Sequence, residues 1–393
     1  MLTERINKIR EVMQEMVDTQ FVSGVNCMVI QNGVEQFYHE TGVRDIETGE
    51  PVTRDTIFRL YSLTKTITSA AVMMLLEDGK LDLLDPVSKF LPGFKKQHLQ
   101  KDGRCYPPEK EITIQMLLNM TSGIPYPGNN DPAEVAADKM MQEIIQKMGT
   151  DEALSTVEIA NRTGEQPLCF EPGATWKYGF SADILGAVVE VVSDMRFGDF
   201  LKRRIFEPLG MDDTAFFVPE EKQYRLAKVY RDTPNGLELY TEPHLGVQNE
   251  MKYDPAFESG GAGLVSTIED IARFAQMLMN GGTLDGAVIL SPATVKFMTS
   301  GQLSDIQQKG VDQWDGLAGH SYANFMRVVK DPEKAVTLSS KGEYGWDGWL
   351  GVYMTNDPAH DLTMIMMQQR VDSGTTGYTR KIRNVLFSSL TEE

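Results

Sequence analysis

The sequence predicts an α+β fold: an antiparallel sheet flanked by helices and built from both ends of the chain, with a mostly helical lobe inserted. Three observations predict it. Strand signals gather at the two ends, as "VNCMVI" and "VEQFYHE" around Asn32-Gly33, and as "GWLGVYMTN" and "LTMIMMQQ" around "DPAHD". Between them, helical periodicity and loops punctuated by Pro and Gly dominate. The 393 residues, 41% of them hydrophobic, are enough for one large core or two interleaved lobes. The expected division is residues 1–83 and 255–393 as the sheet-bearing lobe and 84–254 as the helical lobe. A ligand cleft is expected between them.

Each element has a local reason. Residues from about Thr3 to Asp18 place apolar side chains at helical spacing among charges. "YSLTKTITSAAVMMLLEDGK", Tyr61 to Lys80, reads as a buried helix carrying Ala70, Ala71, Met73, Met74, Leu75 and Leu76, and Asp78-Gly79 closes it. "ITIQMLLNMTSG" is a short helix ending at Gly123, after the Pro-punctuated connection "DPVSKFLPGF". "SADILGAVVEVVSDM" and "RFGDFLKRRIFEPLG" are further helices, the second stopping at Pro208 and Gly210. "STIEDIARFAQMLMNGG" opens with Ser266 and Glu269 three residues on, a capping-box pattern. A last helix runs from about Tyr378 to Leu390.

Composition excludes several classes. A net charge of −18 argues against nucleic acid or an anionic membrane surface as the main partner. Cys27, Cys105 and Cys169 are odd in number and far apart, which fits a reducing compartment. His39, His98, His244, His320 and His360 are equally scattered, so neither a metal nor another cofactor is expected. The start of the chain lacks the uninterrupted apolar stretch of a secretory signal, and no run approaches a membrane span. The expectation is a soluble cytoplasmic protein.

The chemistry centres on Ser62 and Lys65, three residues apart where the apolar run begins. One helical turn brings positions i and i+3 to one face. Two readings of those residues stand: a helix cap with a solvated lysine, or a nucleophile with its base. In a buried cleft, desolvation lowers a lysine pKa until the neutral amine accepts a proton. The helix start also offers unpaired N–H groups to a developing anion.

The company of this pair is distinctive. "TIFRLYSLTKTITSAAVMMLLEDGKLDLLDPVSKFLPGF", "MLLNMTSGI", "EPGATWKYGFSADILGAVVEVVS", "RRIFEPLGMDDTAFFVP" and "GGAGLVSTIEDIARFAQMLMNGGTLDGAVILSPATVKFMTS" follow one another across most of the chain. Together they resemble the serine β-lactamase-like superfamily, which includes penicillin-binding-protein-like hydrolases, and within it the family VIII esterases. The resemblance implies a β-lactamase/transpeptidase-like fold. It implies that Ser62 is the acylated nucleophile, Lys65 its base, and Tyr178 a general acid/base for the leaving group, with Lys65 as the cation that tunes it. It matches "EYGWDGWLG" to the third motif, with Trp346, Asp347 and Gly348 at the motif positions. An oxyanion hole from the backbone N–H groups of Ser62 and Trp349 is then implied.

Departures from the family shape the expected substrate. Trp346 stands where β-lactamases carry a lysine for the substrate carboxylate. Phe180 replaces the asparagine of Tyr-x-Asn and suggests a more apolar pocket. Asp347 replaces a glycine common in the esterases; it either holds a substrate amine or turns away to solvent or a loop. "GHSYA", Gly319 to Ala323, imitates an α/β-hydrolase nucleophile elbow but lacks the following helix.

The expected function is a carboxylesterase acting on small, fairly apolar esters through an acyl-enzyme on Ser62. The alternatives are an amidase or D-aminopeptidase-like enzyme, a weak β-lactamase, an acyltransferase, or a non-catalytic binding protein. Partners are a small ester or amide, with no nucleic acid or membrane; a homo-oligomer is left open.

Overall fold

At Asn32-Gly33 the chain turns back on itself, joining β1 (Gly24–Gln31) to β2 (Val34–Asp45) with Gln31 opposite Val34. This computed structural model describes residues 1–101, 103–301 and 303–391. A short β3 (Glu50–Pro51) edges the sheet. The other strands come from the far end of the chain: β4 (His320–Ala323), β5 (Met326–Val329), β6 (Tyr344–Asp347), β7 (Tyr353–Asp357) and β8 (Leu362–Gln368). The order is β4-β5-β6-β7-β8-β1-β2-β3, with every neighbouring pair antiparallel. The two ends of the chain meet where β1 pairs with β8, Val25 opposite Gln368.

Strand alternation gives the sheet two apolar faces. Val25, Cys27 and Val29 of β1 and Met364 and Met366 of β8 face α1 (Lys8–Asp18) and α6 (Gly377–Ser388), through Ile9, Met13, Met16, Ile382 and Leu386. Met28, Ile30, Ile365 and Met367 belong to the larger core on the opposite face. That core contains α2 (Thr64–Glu77), whose residues 64–75 are all buried, the polar Thr64, Lys65, Thr66, Thr68 and Ser69 among them. It also contains α3 (Ser181–Ser193) and α4 (Ile268–Met279). α4 is fastened to the sheet by Gln276 donating to Thr363 Oγ1 at 2.8 Å and Asn356 donating to Ala275 O at 2.9 Å.

Several boundaries differ from the sequence reading. Ser62 lies in a 3₁₀ turn, Tyr61–Leu63, and α2 begins only at Thr64. The cap of α4 is Thr267, whose side chain accepts from the Asp270 N–H, not Ser266. Ser266 is drawn into a strand pair with Phe58, and its hydroxyl lies 2.8 Å from Thr214 Oγ1. The helix Ile114–Leu118 stops short of Gly123, and the one at Pro208 continues to Leu209 before Gly210 ends it. The middle of the chain is not purely helical. It holds a ribbon of Val229–Thr233 with Gly236–Tyr240, and a small sheet of His98–Lys101, Arg104–Tyr106 and Pro167–Leu168. "GHSYA" forms the edge strand β4 and makes no elbow.

Candidate active site

Three segments far apart in sequence converge at the start of α2. The first supplies the 3₁₀ turn with Ser62, the second brings Tyr178 just before α3, and the third is β6 with the turn after it. Tyr61, before the serine, holds a positive φ of 43° although its ring is buried. Such a conformation costs of order 1–3 kcal/mol and persists only where packing enforces it. Here the ring is wedged edge-on to Trp349, with centroids 5.0 Å apart, and lies 5.9 Å from the His244 ring.

Lys65 is completely buried, and its Nζ has three polar neighbours: Ser62 Oγ at 3.1 Å, Tyr126 OH at 2.9 Å and Gly261 O at 2.7 Å. Burial drives its pKa down to about 7, against the opposing pull of Asp183 and Asp347. Asp183, on α3, does not touch the amine. It accepts from Ser259 Oγ and from the Gly261 N–H at 3.1 Å, and so fixes the carbonyl that Lys65 meets.

Tyr178 OH accepts from the Trp346 indole Nε1 at 2.9 Å, and the nearby Ser62 hydroxyl pulls its pKa down. Lys65 Nζ sits over the Tyr178 ring, 4.7 Å from its centroid. The expectation that this cation would ease ionisation of the tyrosine is not met. Burial outweighs every other influence and pushes the Tyr178 pKa up, so the phenol keeps its proton.

Gly348 brings β6 against the Ser62 turn. A Cβ there would stand 2.1 Å from Leu60 O, so only glycine allows this approach. Trp349 follows in a turn closed by the Gly351 N–H to Gly348 O at 2.8 Å. Its indole stacks on His244 at 3.9 Å and donates to Asp372 at 2.6 Å. Ser62 lies in the first turn of its helix, where N–H groups lack carbonyl partners.

The other two expected residues are placed differently. Phe180 is buried with its ring edge-on to Tyr126 at 4.7 Å, so it packs behind the tyrosine that meets Lys65. Asp347 neither turns to solvent nor stands free: it pairs with Arg327 at 2.9 Å, with side chains 20% and 7% exposed. Sequence reasoning missed Tyr126, His244 and Asp183. Tyr126 follows the quoted "MLLNMTSGI" by two residues, in a Pro-flanked turn, and that proximity was the available signal. Asp183 lies inside the quoted "EPGATWKYGFSADILGAVVEVVS" without being singled out, and His244 lies in a stretch with no motif of its own.

A buried lysine beside a serine at a helix start, with a tyrosine and a close-packed strand, defines a serine hydrolase of the β-lactamase type. The Beta-lactamase family matches residues 9–386, and the chain belongs to it. Protein Rv1367c of Mycobacterium tuberculosis is 33% identical over 377 residues, 91% of this chain and 88% of that protein. Esterase EstB of Burkholderia gladioli is 28% identical, covering 93% of this chain and 91% of the esterase. Among solved structures, EstCE1, described as a hydrolase with promiscuous acyltransferase activity, superposes with a TM-score of 0.82. It is 26% identical, over 98% of this chain and 99% of that one. No helix among the described residues is long and apolar enough to cross a membrane.

Proposed function

We propose that the protein is a carboxylesterase that forms its acyl-enzyme on Ser62. The observation that carries this reading is Lys65: wholly buried, 3.1 Å from Ser62 Oγ, with a pKa of about 7. Neutral Lys65 takes the Ser62 proton as Oγ attacks the ester carbonyl. The Ser62 and Trp349 N–H groups receive the oxyanion. Tyr178, protonated and held by Trp346, gives its proton to the departing alkoxide and is reprotonated from Lys65. Water then repeats the sequence on the acyl-enzyme.

The pairing of Asp347 with Arg327 favours esters over amine-bearing amides, because the carboxylate that would hold an ammonium already has a guanidinium partner. The apolar Phe180 ring behind Tyr126 and the named esterase relative support the same choice. The separated cysteines support a reducing, cytoplasmic compartment.

The test is a rate comparison of the protein and Ser62→Ala on short-chain p-nitrophenyl esters, a chromogenic cephalosporin and an amino-acid p-nitroanilide. Turnover of the esters that depends on Ser62 is expected. Ester hydrolysis surviving in Ser62→Ala, or preferred turnover of the anilide, would overturn the reading.

A further inference from the structure

Trp314 stands at the mouth of the site with no role assigned by the chemistry above. It is 42% exposed, whereas Trp176 and Trp346 beside it are 5% and 2% exposed. Its ring meets Trp176 edge-on at 5.3 Å, tilts over Tyr178 at 5.2 Å and runs within 23° of parallel to Trp346 at 6.4 Å. The indole is therefore buttressed by three rings and still partly open to solvent.

The ring is held there by an anchored helix. α5 (Asp305–Val311) is capped by Ser304, and its Gln307 donates to Gly173 O at 2.8 Å while Gln308 donates to His320 O at 2.8 Å. At Gly310 the helix presses on the Trp176 backbone; a Cβ would stand 2.6 Å from Trp176 O. The Trp314 N–H then closes on Val311 O at 2.9 Å. A large exposed indole on a fastened segment is a binding surface prepared before substrate arrives.

Which half of an ester meets it follows from the proton path. The leaving oxygen must reach Tyr178 OH, and Trp314 packs on the Tyr178 ring. The carbonyl oxygen is directed elsewhere, to the Ser62 and Trp349 N–H groups. Trp314 thus flanks the alcohol. Arg327, 5.8 Å over Trp346, has its charge paired with Asp347.

Resting on the esterase reading, we propose that Trp314 is a specificity-determining residue that stacks an uncharged aromatic ring of the alcohol leaving group. The physiological substrates are then esters of aromatic-ring-bearing alcohols.

The experiment compares kcat/KM for 2-phenylethyl acetate, 2-cyclohexylethyl acetate and hexyl acetate. These share one acetyl-enzyme and have alcohols of similar basicity, so differences report recognition of the alcohol. The phenyl ester is expected to be preferred over hexyl acetate by about five- to ten-fold, with the cyclohexyl ester between them. Trp314→Ala is expected to collapse that ratio toward one, and Trp314→Phe to keep most of it. Equal values for the three esters in the unaltered protein, or a ratio unchanged in Trp314→Ala, would overturn the assignment. Absence of any Ser62-dependent turnover of all three esters would instead overturn the esterase reading, and the assignment with it.

Discussion

Lys65 shows how burial alone prepares a residue for proton transfer. Its amine meets a serine, a tyrosine and a backbone carbonyl, with no carboxylate in contact. Desolvation therefore prevails and brings the pKa to about 7. A base must be neutral to work, so kcat/KM is expected to rise with pH along a limb centred near that value and to fall below it as the amine protonates. A profile flat from pH 5 to 9 would remove Lys65 from the role. Tyr178 has the complementary assignment, since burial keeps its phenol protonated. Tyr178→Phe is expected to lower kcat/KM by about 10²–10⁴-fold for alkyl esters and much less for p-nitrophenyl esters, whose leaving group needs no acid. Equal losses on both ester types would mean that Tyr178 positions rather than protonates.

Individual elements carry the site by close contact more than by regular structure. β6 reaches the Ser62 turn only because Gly348, just after it, has no side chain, and Trp346 on the strand holds Tyr178. Gly348→Ala is expected to push the strand off Leu60 and reduce kcat by at least about ten-fold, while far-ultraviolet circular dichroism stays unchanged. A variant of full activity would show that the strand can yield without disturbing Ser62. The start of α4 offers a test of helix register. Thr267 caps it, so Thr267→Ala should cost about 1 kcal/mol in denaturant unfolding.

Across the whole molecule, the sheet joins the two ends of the chain, and one buried ion pair ties the residue just before β6 to α6. Arg383 donates to both oxygens of Glu343, with side chains 3% and 2% exposed. Burial pushes the Glu343 pKa up, but Arg383 outweighs it and the net shift is downward from 4.5. The stabilisation is therefore fully present above about pH 4.5 and is lost as pH falls through the lowered folded-state value. Arg383→Ala is expected to cost about 3–5 kcal/mol at pH 7, because it strands a buried carboxylate. In Glu343→Gln the loss of stability on acidification should be shallower than in the parent. Equilibrium unfolding at pH 7 and pH 4 checks both.

What the sequence determined by itself was local or periodic. The β1–β2 turn at Asn32-Gly33, the apolar run of α2 and the β7–β8 hairpin were legible because turn chemistry and side-chain spacing act between near neighbours. Ser62 and Lys65 were legible as a pair because one helical turn separates them, and Tyr178 and Trp346 because their motifs resemble a known family. Only the tertiary structure decided the rest. It set Tyr126 and Gly261 on the Lys65 amine, put Thr267 rather than Ser266 at the cap, and gave Asp347 an arginine partner. It also turned Phe180 inward and placed Trp314 over Tyr178. Each of these depends on contacts between residues far apart in the chain, or on how deeply a charge is removed from water. Neither is written in the spacing of neighbouring residues; both arise only when the sheet and helices pack.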